Sequence, residues 1–330
     1  MKVEKQRDIW IDTLRGIAAF GVMIAHLAVT FPNIGVRGSG TGKIFVCLFM
    51  CITGYYAFSN IDRDKWGIKE ILLFYLKKIE TIIPQFLVCL LLGTLFGLYD
   101  MKIVGKTLTF QMGLMHFWYI PVVLGFYLII PFIRRLLSLL DSKRRIWILV
   151  ALIIVFEVLF PWFHCTENSI EFWWYIPSFL IGSLARMISN HYVKENICYD
   201  IGTIICVLIF ILIIPGIRES VFSIPSDGYL QNKLVFMTLL WGCLIIFMKK
   251  SKYIFRIVNK SNIFSKNAKY GYSLYLIHYI VLNVLYSKGI CEWKLVFWTI
   301  VISSFGAIGL YWGIQYPLQC LMKKVTRKSN

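Results

Sequence analysis

Long apolar runs, each close to the length of a bilayer crossing, alternate along this chain with short stretches that hold most of its charge. The runs fall at about 9–31, 44–59, 79–99, 117–133, 146–161, 172–188, 200–215, 234–248, 271–287 and 295–320. A crossing helix needs about 20 apolar residues. Apolar residues here follow one another without the every-second-residue alternation of a barrel strand, so the runs predict helices. The second and fifth are short, as in tilted helices beside lengthened loops. The pattern predicts an all-α polytopic membrane protein of about ten transmembrane helices. It reads as a single membrane domain over residues 1–330, with no appended soluble domain, linker or internal repeat.

The charge between the runs orients them. The N-terminus and segments 60–78, 134–145, 186–199, 249–270 and 321–330, together with Arg15, hold 27 of the 35 Lys and Arg. The intervening loops share the other eight, and segment 162–171 has no basic residue but carries Glu167 and Glu171. Basic residues collect on the cytoplasmic side, so both termini are expected in the cytoplasm of a multi-pass cell-membrane protein. Trp10, Trp66, Trp118, Trp147, Trp162 and Trp293 stand where helix ends meet the headgroups.

Composition agrees. The chain is 58% hydrophobic and 16% charged, against about 45–50% and about 25% in soluble domains. A net charge of +18 in a soluble protein would point to nucleic acid. Here the charge is dispersed in loop clusters, so no nucleic-acid partner is expected and the bilayer is the surrounding. Nine scattered cysteines without a CxxC pair imply no disulfide framework, and Cys47 and Cys51, one turn apart, fit apolar packing. The first run carries Asp12 and Arg15 and is too long for a removable signal peptide.

Ionisable groups within apolar runs are costly and mark functional positions. Arg15 and His26 are eleven residues apart, close to three turns, so they share one helix face about 16 Å apart along the axis. Asp12 lies one turn below Arg15 and can hold its guanidinium. Arg15 either snorkels to the interface or binds an anionic group, and His26 either bonds another helix or acts as a base. A cation near the cytoplasm suits a phosphorylated donor. An imidazole deeper in suits proton transfer from a hydroxyl.

The stretch Asp12-Thr13-Leu14-Arg15-Gly16-Ile17-Ala18, ending at His26, resembles the first-helix signature of acyltransferase family 3, bacterial integral-membrane acyltransferases of surface carbohydrates. Phe49-Met50-Cys51-Ile52-Thr53-Gly54-Tyr55-Tyr56 is similar to that family's second helix, with Thr53 in the usual Ser place. His116-Phe117-Trp118-Tyr119-Ile120-Pro121 through Tyr127 and Pro131 resembles the aromatic fourth helix, and Tyr270 to His278 resembles a late "GxxIYLxH" element. One departure stands out. Where the family often has Arg-Arg-x-x-Arg before a proline at the start of the third helix, this chain has Lys77-Lys78-Ile79-Glu80-Thr81-Ile82-Ile83-Pro84. Lysine meets phosphate as a point charge, without the bidentate fork.

The resemblance implies a membrane O-acyltransferase that moves an acyl group, acetyl first of all, from acyl-CoA to a hydroxyl of a surface polysaccharide or lipid-linked glycan. His26 is then the general base and Arg15 its catalytic companion, with Arg15, Lys77 and Lys78 meeting the phosphates of the donor. Acyl-CoA would be a substrate, and no permanently bound cofactor or metal is expected. His116 and Trp118 suit an acceptor sugar or interfacial anchoring, His278 a helix–helix hydrogen bond or a site role, and Glu157 a buried base or an acceptor. His164 and His191 fall in loops. No HExxH spacing, P-loop, GxSxG elbow or Rossmann fingerprint occurs. A transporter or flippase for a lipid-linked sugar would share the helices and intramembrane charges, but its usual pointer, an inverted repeat, is not visible. A sensor or scaffold would be expected to carry a fused domain.

Overall fold

The computed structural model describes residues 9–30, 41–59, 61, 66–109, 116–159, 175–191, 194–213, 230–261 and 267–328. Among them no strand forms, and the fold is a helical bundle. Its helices are α1 (Ile9–Thr30), α2 (Thr41–Ala57), α3 (Ile68–Leu95), α4 (Met101–Leu108), α5 (Tyr119–Ser138), α6 (Ser142–Leu159) and α7 (Ile176–His191). They continue as α8 (Ile197–Ile213), α9 (Leu230–Lys250), α10 (Ile254–Ser261), α11 (Gly271–Ser287), α12 (Glu292–Leu310) and α13 (Tyr316–Lys328). A 3-10 turn, Ala268–Tyr270, leads into α11, and a π-helical turn, Tyr311–Gln315, joins α12 to α13.

Each apolar run falls on a helix. Ile9–Thr30, Ile68–Leu95, Tyr119–Ser138 and Glu292–Lys324 are long and apolar enough to cross a membrane, and Gly42–Ala57 and Ile197–Leu212 are shorter apolar helices. Their outward faces carry large apolar side chains, such as Leu87, Leu91 and Leu95 on α3, Ile204 and Leu208 on α8, and Phe297 and Phe305 on α12. A bundle that exposes such rows suits a hydrocarbon surrounding.

The boundaries depart from the sequence pattern in informative ways. The third helix starts at Ile68, well before position 79, where Gly67 donates its N–H to the Glu70 carboxylate in a capping arrangement. Lys77 and Lys78 are therefore helical rather than in a loop, and Pro84 lies inside the helix. Trp10, expected at the headgroups, is 2% exposed and meets Tyr55 edge-on, 5.6 Å between centroids. Trp147 and Trp293 are exposed at helix starts. Trp162, His164, Glu167 and Glu171 lie outside the described residues.

The centre of the bundle is α2, packed against α1, α7, α9 and α5. Its contact with α7 is backbone on backbone. A Cβ on Gly54 would sit 1.9 Å from the Phe179 carbonyl oxygen, and one on Gly182 1.9 Å from the Cys51 carbonyl oxygen. Ser183 Oγ ties the pair by donating to the Gly54 carbonyl at 3.1 Å. Small residues that allow such an approach are how helices associate where lipid removes the hydrophobic drive between them.

Gly182→Ala is expected to cost about 1–3 kcal/mol by overpacking and to lower the melting temperature of purified protein. Gly309→Ala, where a Cβ meets nothing within 4 Å, serves as the control that does not lose stability, since alanine is the better helix former. Equal melting of both variants would refute the close-approach account.

Candidate functional site

Several elements turn one end each toward a common cavity of about 620 Å³, within the range of roughly 300–1,000 Å³ usual for small-molecule sites. α1 and α3 contribute from their first halves and α2 from its last turns. The start of α11 and the π-helical turn after α12 complete the wall. Such ends meet when successive helices alternate in direction. α5 lines the cavity along one whole face through Tyr119, Val123, Tyr127, Ile130 and Arg134. The fifteen rises from Tyr119 to Arg134 give this wall a length of about 22 Å at 1.5 Å per residue.

The lining includes Arg15, Lys77, Lys78, Arg134 and Lys269, and each cation is held differently. Arg15 Nη1 donates to Asp12 Oδ1 at 2.9 Å, and its guanidinium lies 5.8 Å from the Tyr56 ring. Asp12 itself is 3% exposed, so the pair is fixed from the protein side. Lys78 Nζ lies 4.0 Å from the centre of the Tyr127 ring and 5.4 Å from that of Phe74. Arg134 donates to the carbonyls of Ala57 at 3.1 Å and Ser59 at 2.9 Å, satisfying the end of α2, and stacks 4.7 Å over Trp66. Lys269 sits among the rings of Tyr270, Tyr311 and Trp312. Aromatic faces hold a cation without neutralising it, so the cavity stays electropositive.

Three histidines converge beyond the deep end. The rings of His26 on α1 and His278 on α11 have centroids 5.2 Å apart. His116, in the turn before α5, lies 6.5 Å from His278 and stacks on Tyr279 at 4.6 Å. The convergence follows from helix registration. Gly271 packs beside Ala19 on α1, where a Cβ would lie 3.4 Å from Ala19 Cβ in ordinary van der Waals contact. His278 is seven residues along from Gly271 and His26 seven along from Ala19, so both climb about 10 Å.

The three differ in exposure and bonding. His26 is partly exposed, while His116 and His278 are buried. His278 Nδ1 lies 3.0 Å from the Leu274 carbonyl. A carbonyl only accepts, so Nδ1 is the donor, and Nε2 of the neutral ring carries the lone pair. That Nε2 has no hydrogen-bond partner, and neither do the nitrogens of His116, although the Leu276 carbonyl lies near His116. Among the described residues no three such groups are arranged to hold a metal ion.

Arg15, Lys77 and Lys78 line the cavity, whereas His26, His116 and His278 do not. Tyr119 and Tyr275 close the deep end, with ring centroids 5.2 Å apart. Tyr275 faces the cavity on one side and lies 6.1 Å from His278 on the other, and its hydroxyl donates to the His116 carbonyl. One aromatic layer therefore separates the cations from the imidazoles.

The remaining candidates lie elsewhere. The buried ring of His116 is no interfacial anchor, and Trp118 stacks on Tyr175 at 5.5 Å instead of sharing a platform with it. Glu157 on α6 is within electrostatic reach of Cys47 on α2, near the hydroxyl pair Ser178–Thr238. Arg134, Lys269, Tyr119 and Tyr275 are site residues that the sequence pattern did not single out. The two cations were hidden among the loop charges that set orientation.

A family model described as an acyltransferase domain matches residues 8–316. Comparison with curated proteins and with solved structures gives no match.

The Arg134 contacts make a prediction about stability. Arg134→Gln is expected to cost about 1–3 kcal/mol, because the Ala57 and Ser59 carbonyls lose a buried charged donor. The exposed neighbour gives the control, and Arg135→Gln should melt like the parent protein. Indistinguishable melting curves for the two variants would remove Arg134 as the clasp of α2.

Proposed function

The chain belongs to the acyltransferase 3 family, and from that premise we propose a multi-pass cell-membrane enzyme that transfers an acyl group, acetyl in its simplest form, from acyl-CoA to a hydroxyl of a surface or lipid-linked carbohydrate. About ten crossings with both termini in the cytoplasm complete this reading. The observation that carries it is the cationic cavity, with Arg15, Lys77, Lys78, Arg134 and Lys269 about one space. A cleft lined by one sign of charge between low-dielectric walls concentrates ligands of the opposite sign. Lys77, Lys78, Arg134 and Lys269 belong to the basic segments read as cytoplasmic, which supports donor access from that side.

In this proposal the phosphates of acyl-CoA rest on Arg15, Lys77 and Lys78. The acyl arm extends toward Tyr119 and Tyr275, and the reaction requires these two rings to part so that the thioester meets the histidine cluster behind them. His26, the partly exposed ring of that cluster, takes the proton from the acceptor hydroxyl as its oxygen attacks the thioester carbonyl. The new carbon–oxygen bond forms and the carbon–sulfur bond breaks. CoA leaves as the thiolate and receives a proton, and the acyl ester remains on the carbohydrate. The cations bind the donor and the imidazole moves the proton.

His26→Ala is expected to lower acyl ester on the surface glycan by about 10²- to 10⁴-fold, the usual contribution of a general base, with CoA binding retained by the purified protein. Mass analysis of the glycan from cells with matched protein levels gives the answer. Unchanged acylation would remove His26 as the base. Lost glycan export with unchanged ester per glycan would instead indicate a carrier.

A further inference from the structure

Lys269 stands apart from the other cavity cations. It lies in the 3-10 turn before α11, an element packed against α3, and lines the same cavity as Lys77 and Lys78. Its ammonium is 4.8 Å from the centre of the Tyr270 ring, 5.0 Å from Trp312 and 5.4 Å from Tyr311. All three distances lie within the roughly 6 Å over which a ring face attracts a cation. The rings are themselves fixed. Tyr270 and Tyr311 meet edge-on at 90°, and Trp312 Nε1 donates to Tyr270 Oη at 3.2 Å. Tyr311 and Trp312 belong to the π-helical turn, which interrupts an otherwise continuous rod at the point where it borders the cavity. Single π turns of this kind are frequent at functional sites.

The charge balance gives this arrangement a ligand. Arg15 is offset by Asp12, and Arg134 is taken up by the Ala57 and Ser59 carbonyls at the end of α2. Lys78 and Lys269 rest on ring faces, which leave their charge available. Thr81 also lines the cavity, one turn above Lys77 and Lys78, but it brings no charge and its hydroxyl donates to the Lys77 carbonyl at 2.7 Å. α3 therefore offers the Lys78 ammonium and that of Lys77, which Glu80 partly offsets, to the diphosphate of a nucleotide. A third ammonium, on a separate element, has no counterpart in a ligand with a diphosphate alone. A phosphate monoester carries about −1.5 to −2 at neutral pH, and a ligand that bears one in addition to its diphosphate uses both elements.

We propose that caged Lys269 is a specificity-determining residue that binds a separate phosphate monoester of the donor, so that the cavity selects the 3′-phosphorylated nucleotide of CoA over its 3′-dephospho form. The rings keep the long side chain from lying flat in the interface, which lowers the ordering cost of binding. This inference rests on the donor reading above, and direct binding tests it separately from catalysis.

The full-length protein, purified in detergent, is titrated by calorimetry with CoA and with 3′-dephospho-CoA. The parent is expected to bind CoA about tenfold more tightly, the size of one charge-assisted hydrogen bond. Lys269→Met keeps the apolar stem against the rings and is expected to abolish the preference, weakening CoA alone. Lys269→Arg, which keeps the charge, retains it. A parent with no preference, or a Met variant that weakens both ligands equally or neither, overturns the proposal. A parent that binds neither ligand sinks the donor reading itself.

Discussion

A lysine or arginine taken into an apolar bundle has to keep water, a counter-charge or an aromatic face beside it, because desolvation costs more than an imperfect contact returns. In this molecule that constraint gathers charges from distant segments. Arg15 has Asp12, Lys78 has Tyr127, Arg134 has two carbonyls and Trp66, and Lys269 has three rings. Arg15 uses its own helix, whereas Lys78 on α3 uses α5, Arg134 on α5 uses the end of α2, and Lys269 uses the π-helical turn, so the cavity needs these elements assembled. The same contacts that make the charges tolerable set the positions of the helices.

Close helix approach on one side makes room on the other. Gly54 and Gly182 bring α2 and α7 to backbone contact, and Gly54 is followed directly by Tyr55 and Tyr56. Tyr55 is packed by Trp10 and accepts a hydrogen bond from Arg186, while Tyr56 turns to the cavity and meets Arg15. The glycine is thus a packing device whose neighbours carry the wall of the site. On the far wall, the buried amide of Gln85, next to Pro84, bonds Gln315 at the end of the π-helical turn and accepts from Ser273 on α11. A polar knot inside the bundle ties α3 to both elements that present Lys269.

Much of this was legible along the chain, and the parts that were not have a common cause. Helix positions follow from apolar run length, a local property, and so does the shared face of Arg15 and His26. The start of α3 was missed because its first turns, from Ile68 to Leu76, are amphipathic and mix Lys69 and Glu70 with exposed leucines. Lys269 and Arg134 were visible as charges, but loop basicity for orientation and cavity basicity for binding look the same in one dimension. The meeting of His26, His116 and His278 was illegible for a different reason. It depends on the register between α1 and α11, which is a matter of tertiary packing, with Ala19 beside Gly271 and Met23 and Leu27 against Val281 and Leu282. The π-helical turn does carry a mark that the apolar-run reading passed over, since Pro317 follows it and lacks the N–H that would bond back to the Gly313 carbonyl.

The aromatic layer of Tyr119 and Tyr275 then has a physical rationale on the proposed reading. A base that gains a proton becomes a cation, and unit charges repel strongly between low-dielectric walls. Placing the imidazoles about 10–16 Å along the helices from Arg15, behind two tyrosine rings, keeps that repulsion small. Donor binding reduces it further, because phosphates on the cavity lysines cancel the positive field projected toward the rings.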